Sequence, residues 1–323
     1  MPELATAPFS ERAPSPEALT DLEAAAFANY SGVIEPSLAF TRWFMARPGF
    51  DRELSRGAWH DDLLVASIFA VRAALLITRR PWQLAIVDTV MTHPSYRRQG
   101  VARALLSEAE ALGRRAGLAA LQLYTQPGSA GYRLYGSLGF LHLRTLRYWH
   151  RTAKADGNSP LKWAPARPDD RERVMAVLTA LARTHEGVPV QTESLWRWRK
   201  CNRPRFIAPT VWVRGGSSEI RETLTSAPVR LTGEQERLLL SDAVIESPAS
   251  LADFVRGLPD GPPQVALADE IDDRLQEALG NAGFVRGQEE AVMLLPLGEP
   301  SLAGLLRGSR RPWFPLTESI VGV

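Results

Sequence analysis

Residues 87–106 read VDTVMTHPSYRRQGVARALL. An apolar, β-branched run ends at Thr92, Pro94-Ser95 turns the chain, and a basic loop leads directly into a segment with Ala and Leu at helical spacing that closes at Gly117. A strand, a tight loop and a helix in that order make an anion site. The first turn of a helix leaves backbone N–H groups unpaired, and the aligned peptide dipoles add partial positive charge there. Gly100 and Ala102 are small where a phosphate must approach the backbone, and Arg97, Arg98 and Arg103 surround the same turn with cations. Gln99 and Val101 complete a loop suited to a diphosphate.

Outward from this stretch, the chain organises into two units. Towards the N-terminus, the runs LLVASIFAV, AALLIT and LAIVDTVMT, separated by Arg72 and by RRPWQ, predict three consecutive strands between Leu63 and Thr92. Before them, the spacing predicts helices over Leu19–Asn29 and Ser37–Ala46, and residues 1–18 read as a flexible, Pro-rich leader without the apolar region of a secretory signal. Towards the C-terminus, LAALQLYT predicts a strand, Gly131–Leu138 a short helix closed by Gly139, and Phe140–His150 a last strand, so that a first domain spans 19–151. Residues 152–170, with three prolines and no apolar period, read as a linker. A second domain follows over 171–300, and 301–323 forms a tail. Its final hundred residues repeat the order strand, helix, strand, helix, Gly-Phe, strand. Gly139-Phe140 and Gly283-Phe284 occupy matching places, which suggests an ancient tandem duplication.

Composition excludes several classes. With 323 residues, 45% hydrophobic and 23% charged, the chain is globular and long enough for two cores. A formal net charge of +2 does not select nucleic acid or an anionic membrane as partner. The longest apolar stretch is too short to span a bilayer. Cys201 is the single cysteine, so no intrachain disulfide forms; it reads as a buried thiol, and a reducing, cytoplasmic compartment is expected. The five histidines show no i, i+4 pairing, so no metal site is expected.

The order of meander, phosphate loop, helix, strand and then LYGSLGF (134–140) resembles the GNAT superfamily of N-acyltransferases. In that family, arginine or glutamine, two residues, glycine, one residue, then glycine or alanine bind the diphosphate of acyl-CoA; Arg97, Gly100 and Ala102 fill the pattern. The resemblance covers about residues 19–150. It implies an α/β fold of the α+β kind: two GNAT-like domains, each a mixed, mostly antiparallel sheet flanked by helices, the second degenerate. It further implies that backbone groups of Val90, Met91 and Thr92 meet the pantetheine arm of acetyl-CoA, as strand addition to an amide-bearing ligand requires. Tyr135 takes the place of the tyrosine that protonates the departing thiolate, and the nearly matched acidities of phenol and thiol suit that transfer. Where the family often carries Asn and Ala, this chain has Gly128 and Gly131, leaving the backbone N–H groups of Ala130 and Gly131 to meet the cofactor.

The amine nucleophile needs a base. Asp88, six residues before Pro94, stands where many members carry a strand glutamate; the alternative is an aspartate bonded to backbone at a sheet bulge. The carboxylate of Val323 is a rival base, since some tandem members place their own C-terminus in the acceptor site. The expected function is transfer of an acyl group, acetyl by family, to a primary amine on a small molecule or peptide, with one acyl-CoA site per chain and no metal. The alternatives are a non-catalytic acyl-CoA sensor and a nucleic-acid adaptor using the basic, aromatic WRWRKCNRPRF segment at 196–206. The sequence names neither the acceptor nor an oligomeric state.

Overall fold

The computed structural model describes residues 4–28, 34–152, 163–216, 219–233, 235–258, 261–298 and 302–317. The first half runs β1 (Ala5–Pro8), α1 (Pro16–Phe27), α2 (Leu38–Met45), β2 (Arg56–His60), β3 (Leu63–Ile77), β4 (Arg80–Thr92), α3 (Val101–Arg115), β5 (Ala120–Thr125), α4 (Ala130–Ser137) and β6 (Leu141–Arg151). The second half runs β7 (Ala164–Pro165), α5 (Arg171–Ala180), β8 (Val188–Pro189), α6 (Glu193–Trp196), β9 (Thr210–Gly215), β10 (Ile220–Val229), β11 (Arg237–Val244), α7 (Pro248–Gly257), β12 (Gln264–Asp269), α8 (Asp273–Asn281), β13 (Val285–Pro296) and α9 (Leu302–Gly308).

Among the described residues the strands form one 13-stranded sheet in the order β1-β2-β3-β4-β5-β13-β6-β12-β11-β10-β9-β7, with β8 added to β3. Most pairings are antiparallel, but β4 runs parallel to β5 and β11 parallel to β12. The expected mixed, mostly antiparallel sheet is therefore present. Its halves are not independent, because each unit sends its last strand to the other. β13 lies between β5 and β6, and β6 lies between β13 and β12.

The duplication is visible in geometry. Each unit has a parallel strand pair bridged by a helix (α3, α7), then a helix (α4, α8) whose end is closed by Gly139 or Gly283 in the left-handed region, at φ +90° and +84°. Phe140 N–H donates to Tyr135 O, and Phe284 N–H to Leu279 O, both at 3.0 Å, and both rings are buried.

Several boundaries differ from the expectations. Residues 5–8 are not a loose leader: β1 pairs with β2, Phe9 is buried, and Ser15 caps α1 by accepting from Ala18 N–H. The three runs of 63–92 form two strands. Arg72 points to solvent from the middle of β3 and pairs with Asp51, so it does not end the strand; the turn comes at Thr78-Arg79, both in the left-handed region as a two-residue hairpin requires. Part of the 152–170 linker is packed: Trp163 is buried with Phe254 and β7 pairs with β9, while 153–162 lie outside the described residues. Cys201 is exposed, not buried. No helix among the described residues is long and apolar enough to cross a membrane.

Two layers cover the first half of the sheet. The helices α1 and α2 pack on one face against Phe69 and Met91, and α3 and α4 pack on the other against Ala85 and Val87. With both faces covered, residues 64–71 of β3 are all buried.

Candidate active site

β4 and β5 are paired only at Leu84/Ala120, Ala85/Leu121 and Ile86/Gln122. Beyond Ile86, β4 stays with β3 as far as Thr92, and β5 goes with β13 as far as Thr125, so the two parallel strands part towards their C-terminal ends. In an open sheet this is where a ligand is received. A β-bulge sits on the parted segment: Phe69 faces Asp88 and Ser67 faces Met91, leaving one extra residue on β4, with Thr89 at φ +47°.

The loop ends at Gly100, in the left-handed conformation at φ +81° that lets the chain turn into α3. No side chain caps the first-turn amides of Val101, Ala102 and Arg103, and a Cβ added at Gly100 meets nothing within 4 Å, so there is open space beside the turn that starts this helix. Arg98 and Gln99 are exposed beside them. The side chain of Arg97 is placed differently from the expectation of a phosphate ligand: it donates to Thr92 O at 3.2 Å and to Ala26 O, tying the loop to the end of α1. Arg103 likewise donates to Ser137 Oγ at 2.7 Å, joining α3 to α4.

Tyr135 lies on α4, which follows the parted strand β5, and is buried in the α3/α4 core with its ring 5.8 Å from that of Phe140. Gly131 makes room for it; a Cβ there would come within 3.2 Å of the Tyr135 ring. Ala130 and Gly131 form the first turn of α4, capped by Ser129 accepting from Tyr132 N–H at 3.0 Å. Asp88 is buried on the α1/α2 side at the start of the bulge. It accepts from Thr89 N–H at 3.2 Å and lies 3.5 Å from the buried guanidinium of Arg47. The ion pair and the backbone bond of the bulge thus coexist at one residue. Val323 lies outside the described residues; the tail reaches Leu316, which lines a cavity of ≈ 190 Å³ beside Arg47 and Ile86.

Two contributors were missed by the sequence reading. Glu23 on α1 is buried, and burial together with the charge of Asp88 pushes its carboxyl up to about 7. The signal was available: Leu19, Leu22, Glu23 and Ala26 form the buried stripe of α1, where a glutamate is out of place. The second is Trp198, whose ring stacks on Trp43 at 4.4 Å and 3°, each indole N–H donating to the other residue's carbonyl at 3.0 and 2.8 Å. Arg47 lies over the Trp198 ring at 5.0 Å. The WRWRKCNRPRF segment is interior at its start: Trp196, Trp198 and Arg199 are buried, which removes both indoles from the base stacking that a nucleic-acid adaptor needs, while Phe206 is exposed.

The second unit keeps the frame and loses the loop. β11 and β12 part after Leu240/Ala266, and a bulge with Asp242 at φ +53° matches the one at Thr89. After β11, however, Glu246 N–H donates to Glu222 Oε1 at 2.7 Å and Arg274 donates to Glu246 O, and the turn into α7 has Ser247 and Pro248 where the first unit has Gly100 and Val101. Leu279 occupies the place of Tyr135. Among the described residues, no group of three or more His, Cys, Asp or Glu side chains is arranged to hold a metal ion.

Comparison with known proteins agrees with this geometry. The family model of the acetyltransferase (GNAT) domain matches residues 17–142, and no curated protein sequence matches. Among solved structures, a Saccharomyces cerevisiae N-myristoyltransferase with bound myristoyl-CoA is similar at TM-score 0.72 and 12% identity, over 91% of this chain and 83% of that one. A GCN5-related N-acetyltransferase from Anabaena variabilis is similar at TM-score 0.65 and 15% identity, over 92% and 73%. A probable N-acyltransferase from Enterococcus faecalis is similar at TM-score 0.63 and 13% identity, over 91% and 72%. The chain therefore has the tandem GNAT fold of these structures, and its residues 17–142 match the acetyltransferase (GNAT) domain model.

Proposed function

We propose that this protein is an acyl-CoA-dependent N-acyltransferase that moves an acyl group, acetyl by the family of its first unit, to a primary amine. The observation that carries the reading is the parting of β4 and β5 at Ile86/Gln122, directly below the uncapped first turn of α3. An acyl-CoA fits that frame. Backbone amides of 98–103 would hold its diphosphate, assisted by Arg98, and the backbone of Val90, Met91 and Thr92 would meet its pantetheine arm as an added strand. When bound, it supplies an activated acyl thioester.

The chain's own residues supply orientation and proton handling. Tyr135 donates its phenolic proton to the sulfur that leaves, and a carboxylate on the α1/α2 side of β4, where Asp88 lies, takes the proton of the amine. Arg97 acts through position, holding α1 against the loop, and Ala130 and Gly131 offer first-turn amides from α4. One acyl-CoA site per chain is the reading for the second unit, because the segment after β11 lacks the glycine turn of the first loop and the Glu246 N–H and carbonyl are already bonded. Holding both reactants in one cleft is worth orders of magnitude in rate by itself.

The test pairs a binding and a transfer measurement. Calorimetry should detect coenzyme A binding to the full chain, and a panel of polyamines, aminoglycosides, amino acids and peptides with acetyl-CoA should release free thiol for at least one acceptor. Tyr135→Phe should lower kcat by about 10²-fold or more with coenzyme A binding kept. An unchanged rate removes Tyr135 from the chemistry, and an absence of coenzyme A binding removes the whole reading.

A further inference from the structure

We propose that Glu23, and not Asp88, is the group that accepts the proton from the attacking amine, with Asp88 and Arg47 acting as its positioning pair. The inference rests on the acyltransferase reading and deepens it. Glu23 is 9% exposed, and its side chain makes no hydrogen bond or ion pair with another described residue. A carboxylate buried to that degree without a partner is costly, and a fold keeps one where its basicity is used.

The surroundings explain why this carboxylate and not its neighbour. Asp88 has a guanidinium at 3.5 Å and a backbone N–H at 3.2 Å, so its oxygens already serve Arg47 and the bulge. Arg47 is in turn held over Trp198. The other charged groups on elements packed against α1 are occupied elsewhere: Arg42 on α2 pairs with Glu17, Arg72 on β3 pairs with Asp51, and Arg97 donates to Thr92 O and Ala26 O. What reaches Glu23 is the negative charge of Asp88, which together with burial holds its proton to about 7. A base poised near neutrality takes a proton and returns it without a large barrier. Position agrees as well: Arg97 fastens the last turn of α1 to the start of the phosphate loop, and Glu23, one turn earlier, is close enough to Asp88 on the parted segment of β4 to feel its charge.

The step balances without any further reactant. The amine lone pair forms the C–N bond at the acyl carbon as the C–S bond breaks. The proton lost by nitrogen goes to the Glu23 carboxylate, directly or through one water. The electron pair of the C–S bond leaves on sulfur, which takes the proton of Tyr135. Solvent then removes the proton from Glu23 and restores that of Tyr135.

The test compares pH profiles of thiol release by the wild-type chain, Glu23→Gln and Asp88→Asn with one acceptor from the panel, each variant first checked by calorimetry for coenzyme A binding. In the wild type, the rate should rise through about pH 7 as Glu23 ionises. Glu23→Gln, which keeps the shape of the neutral acid, should lose that limb and at least 100-fold in rate near pH 8. Asp88→Asn removes the charge that holds the proton on Glu23, so its limb should remain and move to lower pH. Without any substrate, ¹³C NMR of side-chain carboxyls should show one group titrating near pH 7 in the wild type and not in Glu23→Gln. A Glu23→Gln enzyme with the wild-type limb and rate overturns the inference, most directly if Asp88→Asn loses the limb instead. A wild-type chain that transfers to no amine overturns the acyltransferase reading beneath it.

Discussion

Glu23 sets function against stability in a way that can be measured without any substrate. Its carboxyl ionises near 4.5 when the chain is unfolded and near 7 when it is folded. Between those values the folded protein holds a proton that the unfolded chain has released, so the contribution of this group is fully present below about 4.5 and is lost as pH rises through 7. A displacement of that size corresponds to about 3 kcal/mol. Glu23→Gln never ionises and escapes the loss. In urea denaturation its stability relative to the wild type should therefore grow by about 3 kcal/mol between pH 5 and pH 8, other carboxylates cancelling in the difference. A difference that stays constant with pH would mean that Glu23 ionises as an ordinary surface carboxylate. The turn at Gly100 and the short helix that carries Tyr135 were legible in the sequence because both follow from neighbours a few residues away. Glu23 was not, because its setting is made by Asp88, some 65 residues on. The solitary glutamate in the apolar stripe of α1 was the trace it left.

At the scale of elements, the bulge of β11 and the segment that follows α6 form a buried polar lock. Asp242, at the bulge, accepts from Arg199 at 3.0 Å and from Lys200, and its carboxylate also accepts from Thr225 Oγ1 at 3.2 Å. Burial raises the Asp242 carboxyl, but Arg199 and Lys200 outweigh it and hold the group well below the usual range. Burial works the other way on Lys200, bringing its ammonium down to about 8 in spite of Asp242. The lock holds the segment that carries Trp198, and Trp198 carries Arg47 to Asp88. Asp242→Asn leaves two buried cations without their counter-charge, so it should cost about 3–5 kcal/mol in chemical denaturation, far above a surface substitution. A loss under 1 kcal/mol would show that the cations find water instead. The same segment marks where reading by composition fails. Alternating Trp and Arg looks alike whether it faces nucleic acid or a neighbouring helix, and its partners Trp43 and Asp242 lie 155 and 44 residues from Trp198.

The whole molecule is held together by an exchange that local patterns do not encode. The strand–helix–strand units of both halves are written in short-range periodicity, and so is the Gly-Phe closure that exposes their common origin. The destination of each last strand is not, because β13 pairs with β5 across some 170 residues, and an apolar strand carries no label for its neighbour. The consequence is mutual dependence. Removal of the second unit takes β13 from β5 and strips β6 of both its neighbours, leaving Leu146, Tyr148 and Trp149, all buried in the intact chain, on an unpaired strand with an open edge on each side. It also takes Trp198 from Trp43 and thereby loosens Arg47. Residues 1–151 expressed alone should therefore be aggregation-prone or lack a cooperative thermal transition, whereas the full chain should unfold in a single transition by calorimetry and by circular dichroism. Two resolved transitions in the full chain would contradict this coupling, as would a soluble 1–151 fragment that melts cooperatively and binds coenzyme A with the affinity of the intact protein.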